Sequence, residues 1–375
     1  MRADPNKRIP VWDRLVRTFH WGLVAAVTIA LATGFLETAS LLDLHVAAGV
    51  LIGVLLALRV VWGFTGTTYA RFASFVVSPP TLSRHVAAML RGTAKPHVGH
   101  NPLGGWMILS LMTTLTVLLV TGVAVLGGVL KDGPLAPFAS FATGRQLKEL
   151  HELAAFTLLA LIGLHVTGIV VESLRTRESL IVAMLRGWKH RRADAEPAPP
   201  RQAMPALAGI LSLLVLLSAG VATAHFSRLP VAGLPSQPLD TVYAKECGAC
   251  HSPHHPSIAT AATWASVMRG LDRHFGDNAS LDAPVATRLA AYLADNGAEH
   301  WDTQASNRLA RSAATDPLRI TATDGWQRLH RHVDKTVFDR KSVGGRVNCS
   351  RCHGDAEAGR FDPRAIHIPE EKQTP

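Results

Sequence analysis

Two Cys-x-x-Cys-His units contain all four cysteines of the 375-residue chain, CGACH at 247–251 and CSRCH at 349–353. Four thiols in this arrangement could form disulfides, a zinc site, a thioredoxin-like redox motif or two covalent anchors for haem. A zinc ribbon joins two Cys-x-x-Cys units about 15–20 residues apart, and the interval from Cys250 to Cys349 is far wider. A thioredoxin-like motif needs a strand-to-helix context, which the residues around Cys247 do not supply.

A histidine directly follows each cysteine pair, which is the attachment pattern of c-type haem. The two thiols add to the two vinyl groups of one haem, and the adjacent imidazole then binds the iron. We therefore predict two haems c, held by Cys247, Cys250, Cys349 and Cys352, with His251 and His353 as iron ligands. Each iron needs a sixth ligand or an open position. The candidates in the same part of the chain are Met268, His254, His255, His274, His300, His330, His332 and His367.

Four further histidines lie in long apolar stretches, where a titratable ring is costly and points to function. His20 and His45 belong to two successive stretches, and His151 and His165 share a later one. The last two are fourteen residues apart, so on a helix they lie roughly 21 Å apart on one face. Their depths match in pairs, His45 with His151 and His20 with His165, which predicts two bis-histidine haems b between facing helices. A bound metal ion is the alternative to haem, but two histidines so far apart on one helix cannot bind one ion.

The elements that position these residues are membrane-spanning helices. The chain is 48% hydrophobic and 18% charged, below the roughly 25% charged residues of soluble domains, and its apolar runs end near residue 226. Five stretches are long enough to cross about 30 Å of hydrocarbon. They run over about 19–36, 44–64, 103–127, 150–171 and 204–226. The net charge of +10 does not indicate nucleic acid, because the basic residues cluster beside the apolar runs.

Lysine and arginine residues predict the orientation of the spans. Sixteen of them precede the first stretch or lie in the second and fourth connections, whereas Lys131, Arg145 and Lys148 alone lie in the other two. The N-terminus is therefore expected in the cytoplasm, and five crossings place the residues after 226 outside. Covalent haem attachment takes place on that outer side, in agreement with both Cys-x-x-Cys-His units. A cleaved signal peptide is the alternative for the first stretch, which is long and lacks a clear cleavage site.

The first 200 residues resemble the bacterial cytochrome b561 family, in particular the cytochrome b subunits of membrane-bound nickel–iron hydrogenases. The matching segments include VWDRLVRTFHW at 11–21, VGHNPLGGWM at 98–107 and ELHELAAFTLLALIGLHVTG at 149–168. The resemblance implies a four-helix bundle in which the four matched histidines bind two haems b. It also implies electron exchange between the quinone pool and a partner on the outer side of the bacterial inner membrane.

The C-terminal part resembles the bacterial dihaem cytochrome c family. Beside the two haem-attachment units, the matching segments are HFGDNASLD at 274–282, AYLADNGAEH at 291–300 and RITATDGWQRLHRHV at 319–333. This resemblance implies that His274 is the distal ligand of the first haem c and His330 that of the second. His332 lies two residues from His330, and an exchange of the two roles stays open.

Taken together, these features predict an all-α membrane protein. A cytochrome b561-type transmembrane domain is expected over 1–200, a fifth transmembrane helix over 201–226 and a mainly helical periplasmic dihaem cytochrome c domain over 227–375. The expected function is electron transfer between quinone and a soluble periplasmic carrier or haem protein, through two haems b and two haems c. No acid–base catalytic residue is predicted, and activity as a quinol:acceptor oxidoreductase stays open.

Two other functions are compatible with the same residues. Electrons could flow inward, from an external donor or superoxide to quinone, or the outer domain could be a haem-based sensor or gas-binding module with an open iron position. His85, His97 and His100 in the inner connections could assist quinol deprotonation, with an interfacial position as the alternative. A homo-oligomer is compatible with the sequence.

Overall fold

A computed structural model describes residues 8–36, 39–190, 198–310, 316 and 318–370. Arg2, Lys7, Arg191 and Arg192, which enter the orientation argument, lie outside these residues. The chain divides into two compact units. The first contains Met1–Gly122 and Leu147–Ala224, and the second contains Val123–Gln146 and His225–Pro375.

Within the described residues, five helices are long and apolar enough to cross a membrane, which agrees with the predicted number of spans. They are α1 (Arg14–Leu36), α2 (Leu42–Thr65), α4 (Pro102–Val129), α5 (Phe141–Thr176) and α7 (Pro205–Phe226). A short 3-10 turn, Ala39–Leu41, leads into α2. The protein is therefore an integral membrane protein.

The core of the first unit lies where α1, α2, α4 and α5 meet, because each of the four helices contributes buried apolar side chains to one cluster. These are Ala26, Val27, Ile52, Leu56, Leu115 and Leu158. By contrast α7 buries only Ala208. Most of its leucines and valines are exposed on the protein surface, as expected of a helix that faces lipid at the edge of a bundle.

Short elements complete the first unit at one end of the bundle. They are β1 (Arg8–Pro10), α3 (Pro79–Leu90), α6 (Leu180–Arg186) and β2 (Trp188–His190). The strands pair in antiparallel register, with Arg8 opposite His190 and Pro10 opposite Trp188. This small sheet joins the residues before α1 to those after α5, a pairing that the sequence analysis did not predict.

The second unit is also mainly helical. Beside the C-terminal end of α4 and the N-terminal end of α5, it contains six shorter helices in the described residues. They are α8 (Thr241–Cys247), α9 (Ala261–Arg269), α10 (Ala283–Asp295), α11 (Gln304–Arg308), α12 (Asp324–His330) and α13 (Lys335–Asp339). One core cluster forms around Tyr243, Leu289 and Leu293, and another around Ile258 and Trp326. A helical fold for this part agrees with the prediction.

The connection between α4 and α5 packs against C-terminal residues inside the second unit. Lys131 is 4% exposed, and its Nζ donates to Asp302 Oδ2 at 2.7 Å and to the carbonyl oxygen of Ala139 at 3.1 Å. The same carboxylate oxygen accepts a hydrogen bond from the backbone N–H of Phe141 at 2.7 Å, and so caps the first turn of α5. Asp302 therefore ties this connection to the residues that follow α10.

Candidate functional site

The first Cys-x-x-Cys-His unit begins at the last residue of α8. Asp240 caps this helix by accepting hydrogen bonds from two N–H groups of its first turn, and Cys247 ends it. Cys250 and His251 follow in an irregular turn, where Cys250 is exposed. Both thiols are free in the structure, as the attachment of a haem requires.

The second Cys-x-x-Cys-His motif begins with a 3-10 turn, Cys349–Arg351. The backbone N–H of His353 donates to the carbonyl oxygen of Cys349 at 2.8 Å, which folds the histidine back over the first cysteine. The carbonyl oxygen of Cys352 accepts from the N–H of His367 at 2.7 Å, and both thiols of this unit are also free.

The two Cys-x-x-Cys-His motifs are neighbours in space, which their separation in sequence did not reveal. Ser350 Oγ donates to Ser252 Oγ at 2.6 Å, although 98 positions separate the two serines. The N–H of Ser252 donates to Asn348 Oδ1 at 3.2 Å, and Cys349 Sγ lies 4.0 Å from His254 Nδ1. Any groups attached to the two units are therefore held side by side.

The distances between imidazole rings test which histidines could share one iron. An imidazole nitrogen binds a transition metal at about 2 Å and lies roughly 1 Å from its own ring centre, so two rings on opposite sides of one metal have centroids about 6 Å apart. The centroids of His251 and His274 are 6.5 Å apart, and those of His330 and His353 are 6.1 Å apart. Both pairs fit a haem iron between them.

Other distal candidates fit less well. The centroid of His254 is 5.0 Å from that of His251, too close to leave room for a metal between the rings. His255 is 4% exposed, and its Nδ1 already accepts from the N–H of Ser257 at 3.1 Å. His300, His332 and His367 are exposed, and Met268 packs against the Tyr243 cluster.

In the first compact unit of the fold, the rings of His45 and His151 have centroids 6.2 Å apart. This spacing is close to that of the two histidine pairs in the second compact unit. His45 comes from the first turn of α2 and His151 from the N-terminal third of α5. A Cβ placed on Gly49, one turn after His45, would meet no atom within 4 Å, so Gly49 borders open space.

His20 and His165, the other predicted pair, lie close enough to interact electrostatically. His100, from the connection before α4, interacts with both of them. Burial lowers the pKa of His100 to about 3, so its ring is neutral. Arg59 is 5% exposed, with its guanidinium 4.9 Å from the ring of Phe72 and its Nη1 buried without a hydrogen-bond partner among the described residues. Such a cation suits a haem propionate.

Hydrogen bonds to backbone carbonyls fix the tautomer of three of these rings. A carbonyl oxygen only accepts, so the Nδ1 atom that contacts it carries the proton and Nε2 keeps its lone pair for a metal. His45 Nδ1 lies 3.0 Å from Ala30 O, His251 Nδ1 2.9 Å from Ser252 O, and His330 Nδ1 2.8 Å from Trp326 O.

Burial favours the neutral form of three rings in the second compact unit. Burial lowers the pKa of His353 to about 4, and burial lowers the pKa values of His274 and His330 as well. A neutral imidazole is the form that binds iron, so these residues present metal-binding lone pairs at neutral pH. The donor set and its spacing fit haem.

Comparison with known proteins agrees with this chemistry. A family model described as "Prokaryotic cytochrome b561" matches residues 11–187, and one described as "Dihaem cytochrome c" matches residues 243–361. A probable Ni/Fe-hydrogenase B-type cytochrome subunit from Rhizobium leguminosarum bv. viciae is 27% identical over 218 residues, which cover 50% of this chain and 90% of that protein. The corresponding protein from Rhodobacter capsulatus is 24% identical over 215 residues, 49% of this chain and 82% of that one.

Two solved structures are similar to the C-terminal part. The diheme cytochrome c from Rhodobacter sphaeroides is 31% identical, covering 32% of this chain and 95% of that one, with a TM-score of 0.28. The diheme cytochrome c from Shewanella baltica OS155 is 32% identical, covering 36% and 95%, with a TM-score of 0.29. Haem b and haem c are the cofactors of these families, and electron transfer is their shared function. The chain thus belongs to the dihaem cytochrome c family through residues 243–361, and its residues 11–187 match the prokaryotic cytochrome b561 family.

Proposed function

We propose that this protein transfers electrons from a membrane quinol to a soluble redox protein on the outer side of the bacterial inner membrane. It would use two haems b and two haems c, and so act as a quinol:acceptor oxidoreductase. The N-terminus is cytoplasmic in this proposal, and the dihaem domain is periplasmic. Bound haem iron supplies one-electron chemistry, while the protein fixes the position and surroundings of each iron.

The proposed ligands follow the pairs described above. His20 and His165 hold the inner haem b, and His45 and His151 hold the outer one. Covalent attachment uses the four cysteines of the two Cys-x-x-Cys-His units. His251 with His274 would hold the iron of the first haem c, and His353 with His330 would hold that of the second. The proposed domains are 1–200, 201–226 and 227–375.

The observation that carries this proposal is the recurrence of one ring spacing. Three histidine pairs have centroids 6.1 Å, 6.2 Å and 6.5 Å apart, although their residues come from different helices and turns. Two imidazoles per iron leave no open coordination position, which favours electron transfer over gas binding. The contact between Ser252 and Ser350 further supports two haems c close enough to exchange electrons.

A group of titratable residues near the end of α5 supports quinol as the donor. The rings of His85 and His97 have centroids 5.3 Å apart, and Glu172 interacts electrostatically with both. Within the described part of the chain, His85 Nε2 and Glu172 Oε2 are buried without a hydrogen-bond partner, although Arg175 Nε stands 3.9 Å from that carboxylate oxygen. Quinol oxidation releases protons, and these side chains could accept them.

A stopped-flow experiment tests the direction of electron flow. Under anaerobic conditions, decylubiquinol is added to the purified chain, and the α bands of haem b and haem c are followed separately. We expect both bands to be reduced, the b band no later than the c band. Superoxide added together with decylubiquinone tests the inward alternative. Rapid reduction by superoxide, with no reduction by quinol, would overturn the proposed direction.

A further inference from the structure

The two histidines of the outer pair are seated in the same way on two different helices. Thr33 and Gly34 of α1 receive His45, and Thr121 and Gly122 of α4 receive His151. We call each Thr-Gly pair a seat. Thr33 Oγ1 lies 3.1 Å from His45 Nδ1, and Thr121 Oγ1 lies 2.9 Å from His151 Nδ1.

The threonine hydroxyls act as acceptors in both seats. Thr33 Oγ1 donates its proton to the carbonyl oxygen of Ile29 at 2.7 Å, and Thr121 Oγ1 donates to that of Val117 at 2.7 Å. With the proton committed to the preceding turn of the helix, each hydroxyl turns a lone pair toward the imidazole. Each Nδ1 therefore carries a proton, and each Nε2 is free to bind iron.

The glycines allow the rings to approach this closely. A Cβ on Gly34 would lie 3.1 Å from Cε1 of His45, and one on Gly122 would lie 3.3 Å from Cε1 of His151. Both distances are tighter than an ordinary van der Waals contact. A larger residue in either seat would push the imidazole away from the threonine oxygen.

We propose that Thr33 and Thr121 are positioning residues for the outer haem b, and that they lower its reduction potential by accepting a hydrogen bond from each axial imidazole. This inference rests on the proposed function, because it assumes that His45 and His151 share one iron. A hydrogen bond accepted from Nδ1–H makes the imidazole a stronger electron donor, and a stronger donor stabilises the oxidised iron.

The inner pair offers a comparison within the same bundle. His20 Nδ1 is buried and has no hydrogen-bond partner among the described residues. The two haem sites of one bundle would therefore differ in the hydrogen bonding of their ligands, and substitutions in the seats should affect one haem b alone.

The test uses substitutions of matched shape. Thr33→Val and Thr121→Val keep the size of the side chain and remove the accepting oxygen, whereas Thr33→Ser and Thr121→Ser keep the oxygen. The control variants are Thr28→Val in α1 and Thr116→Val in α4. Their hydroxyls donate only within the helix, to Val24 O and Met112 O, at 2.8 Å each.

The readout is an optical redox titration of the intact purified protein, together with the low-spin signal in electron paramagnetic resonance. In each valine variant we expect one haem b midpoint to shift to more positive potential, and a larger shift in the double variant. The other three midpoints should stay unchanged. The shift is partial in each single variant, because Ala30 O and Leu118 O still bond the two rings.

The serine variants and controls should titrate like the native protein. If a valine variant loses the outer haem, retention of the haem in the serine variant supports the proposal, and loss in both overturns it. Unchanged potentials, or equal shifts of both haems b, would also overturn it. A native chain with fewer than two extractable haems b would instead contradict the proposed function, so the two failures are distinguishable.

Discussion

His330 and His353 face each other with ring centroids 6.1 Å apart, and the plane of one is turned 75° from that of the other. The ring of Trp326 stacks on His330 at 4.2 Å, and His330 Nδ1 is bonded to Trp326 O. His332 is exposed, and its Nε2 accepts from Arg331 Nε at 2.8 Å. The geometry therefore favours His330 over His332 as the distal ligand of the second haem c.

The first prediction concerns this choice. His330→Ala should leave both haems c covalently attached but open one iron position, so that the reduced variant binds carbon monoxide and its c-type spectrum changes. His332→Ala should behave like the native protein. Carbon monoxide binding by the His332 variant, with none by the His330 variant, would reverse the assignment.

A second prediction concerns the ion pair between Lys131 and Asp302. In Asp302→Asn the buried ammonium of Lys131 loses its counter-charge, and the N–H of Phe141 loses a charged acceptor. The side chain of Asp302 is 34% exposed, so we expect a loss of about 1–3 kcal/mol of unfolding free energy, the range for a buried donor that loses its acceptor. Thermal unfolding followed by Soret circular dichroism measures the effect on the dihaem domain.

The matched control is Glu152→Gln, which removes the exposed ion pair between Lys148 and Glu152. An exposed pair contributes about 0–1 kcal/mol, so this variant should unfold close to the native temperature. Equal effects of the two substitutions would show that the burial of Lys131 has no energetic consequence.

Hydropathy located the five crossing helices but not their ends. The apolar stretch of about 150–171 predicted the span in α5, yet this helix begins at Phe141 and contains 36 residues. Hydropathy missed the helical residues Arg145 and Lys148 because an apolar stretch reports the thickness of the hydrocarbon and not the length of the helix. The Cys-x-x-Cys-His units were recognisable because haem attachment fixes both residue type and spacing.

Contacts between distant residues could not be predicted in the same way. Threonine and glycine are common in transmembrane helices, so the seats at Thr33 and Thr121 carry no distinctive sequence signal. Their role depends on the rotation of α1 and α4 about their axes, which tertiary packing determines. The pairing of Lys131 with Asp302 joins residues 171 positions apart, and nothing in the local sequence at either residue specifies it.

A third prediction concerns acid stability. His255 is buried in the second unit beside Gly359, and burial lowers its pKa from 6.5 to about 4. As the pH falls, the imidazole therefore takes up its proton at a higher pH in the unfolded chain than in the folded one. The free energy of unfolding thus decreases as the pH drops from 6.5 toward 4. Between these two pH values, this one group changes the free energy of unfolding by up to about 1.4 kcal/mol per pH unit.

The substitution His255→Asn tests this cause. An asparagine oxygen can accept from the N–H of Ser257 as His255 Nδ1 does, but it does not titrate. We expect a smaller difference between the unfolding temperatures at pH 7 and pH 5 than in the native protein. An unchanged difference would mean that other groups cause the acid sensitivity.

A fourth prediction concerns the proposed proton acceptors. Glu172→Gln removes a carboxylate from the group formed with His85 and His97, and should slow the reduction of haem b by decylubiquinol about tenfold or more. The spectrum after reduction by dithionite should not change, because no proposed iron ligand is altered. Glu152→Gln, twenty residues earlier in α5, is the control. Native quinol kinetics in the Glu172 variant would exclude this residue as an acceptor.

The count of haems in the intact chain tests the central claim most directly. Acid–acetone extraction of the purified protein, followed by pyridine haemochrome spectra of both fractions, should give two extractable haems b and two covalently bound haems c per chain. His165→Ala should lower the extractable haem to one and leave the covalent haem unchanged. A single haem type in the native protein, or a full complement of extractable haem in the His165 variant, would contradict the account.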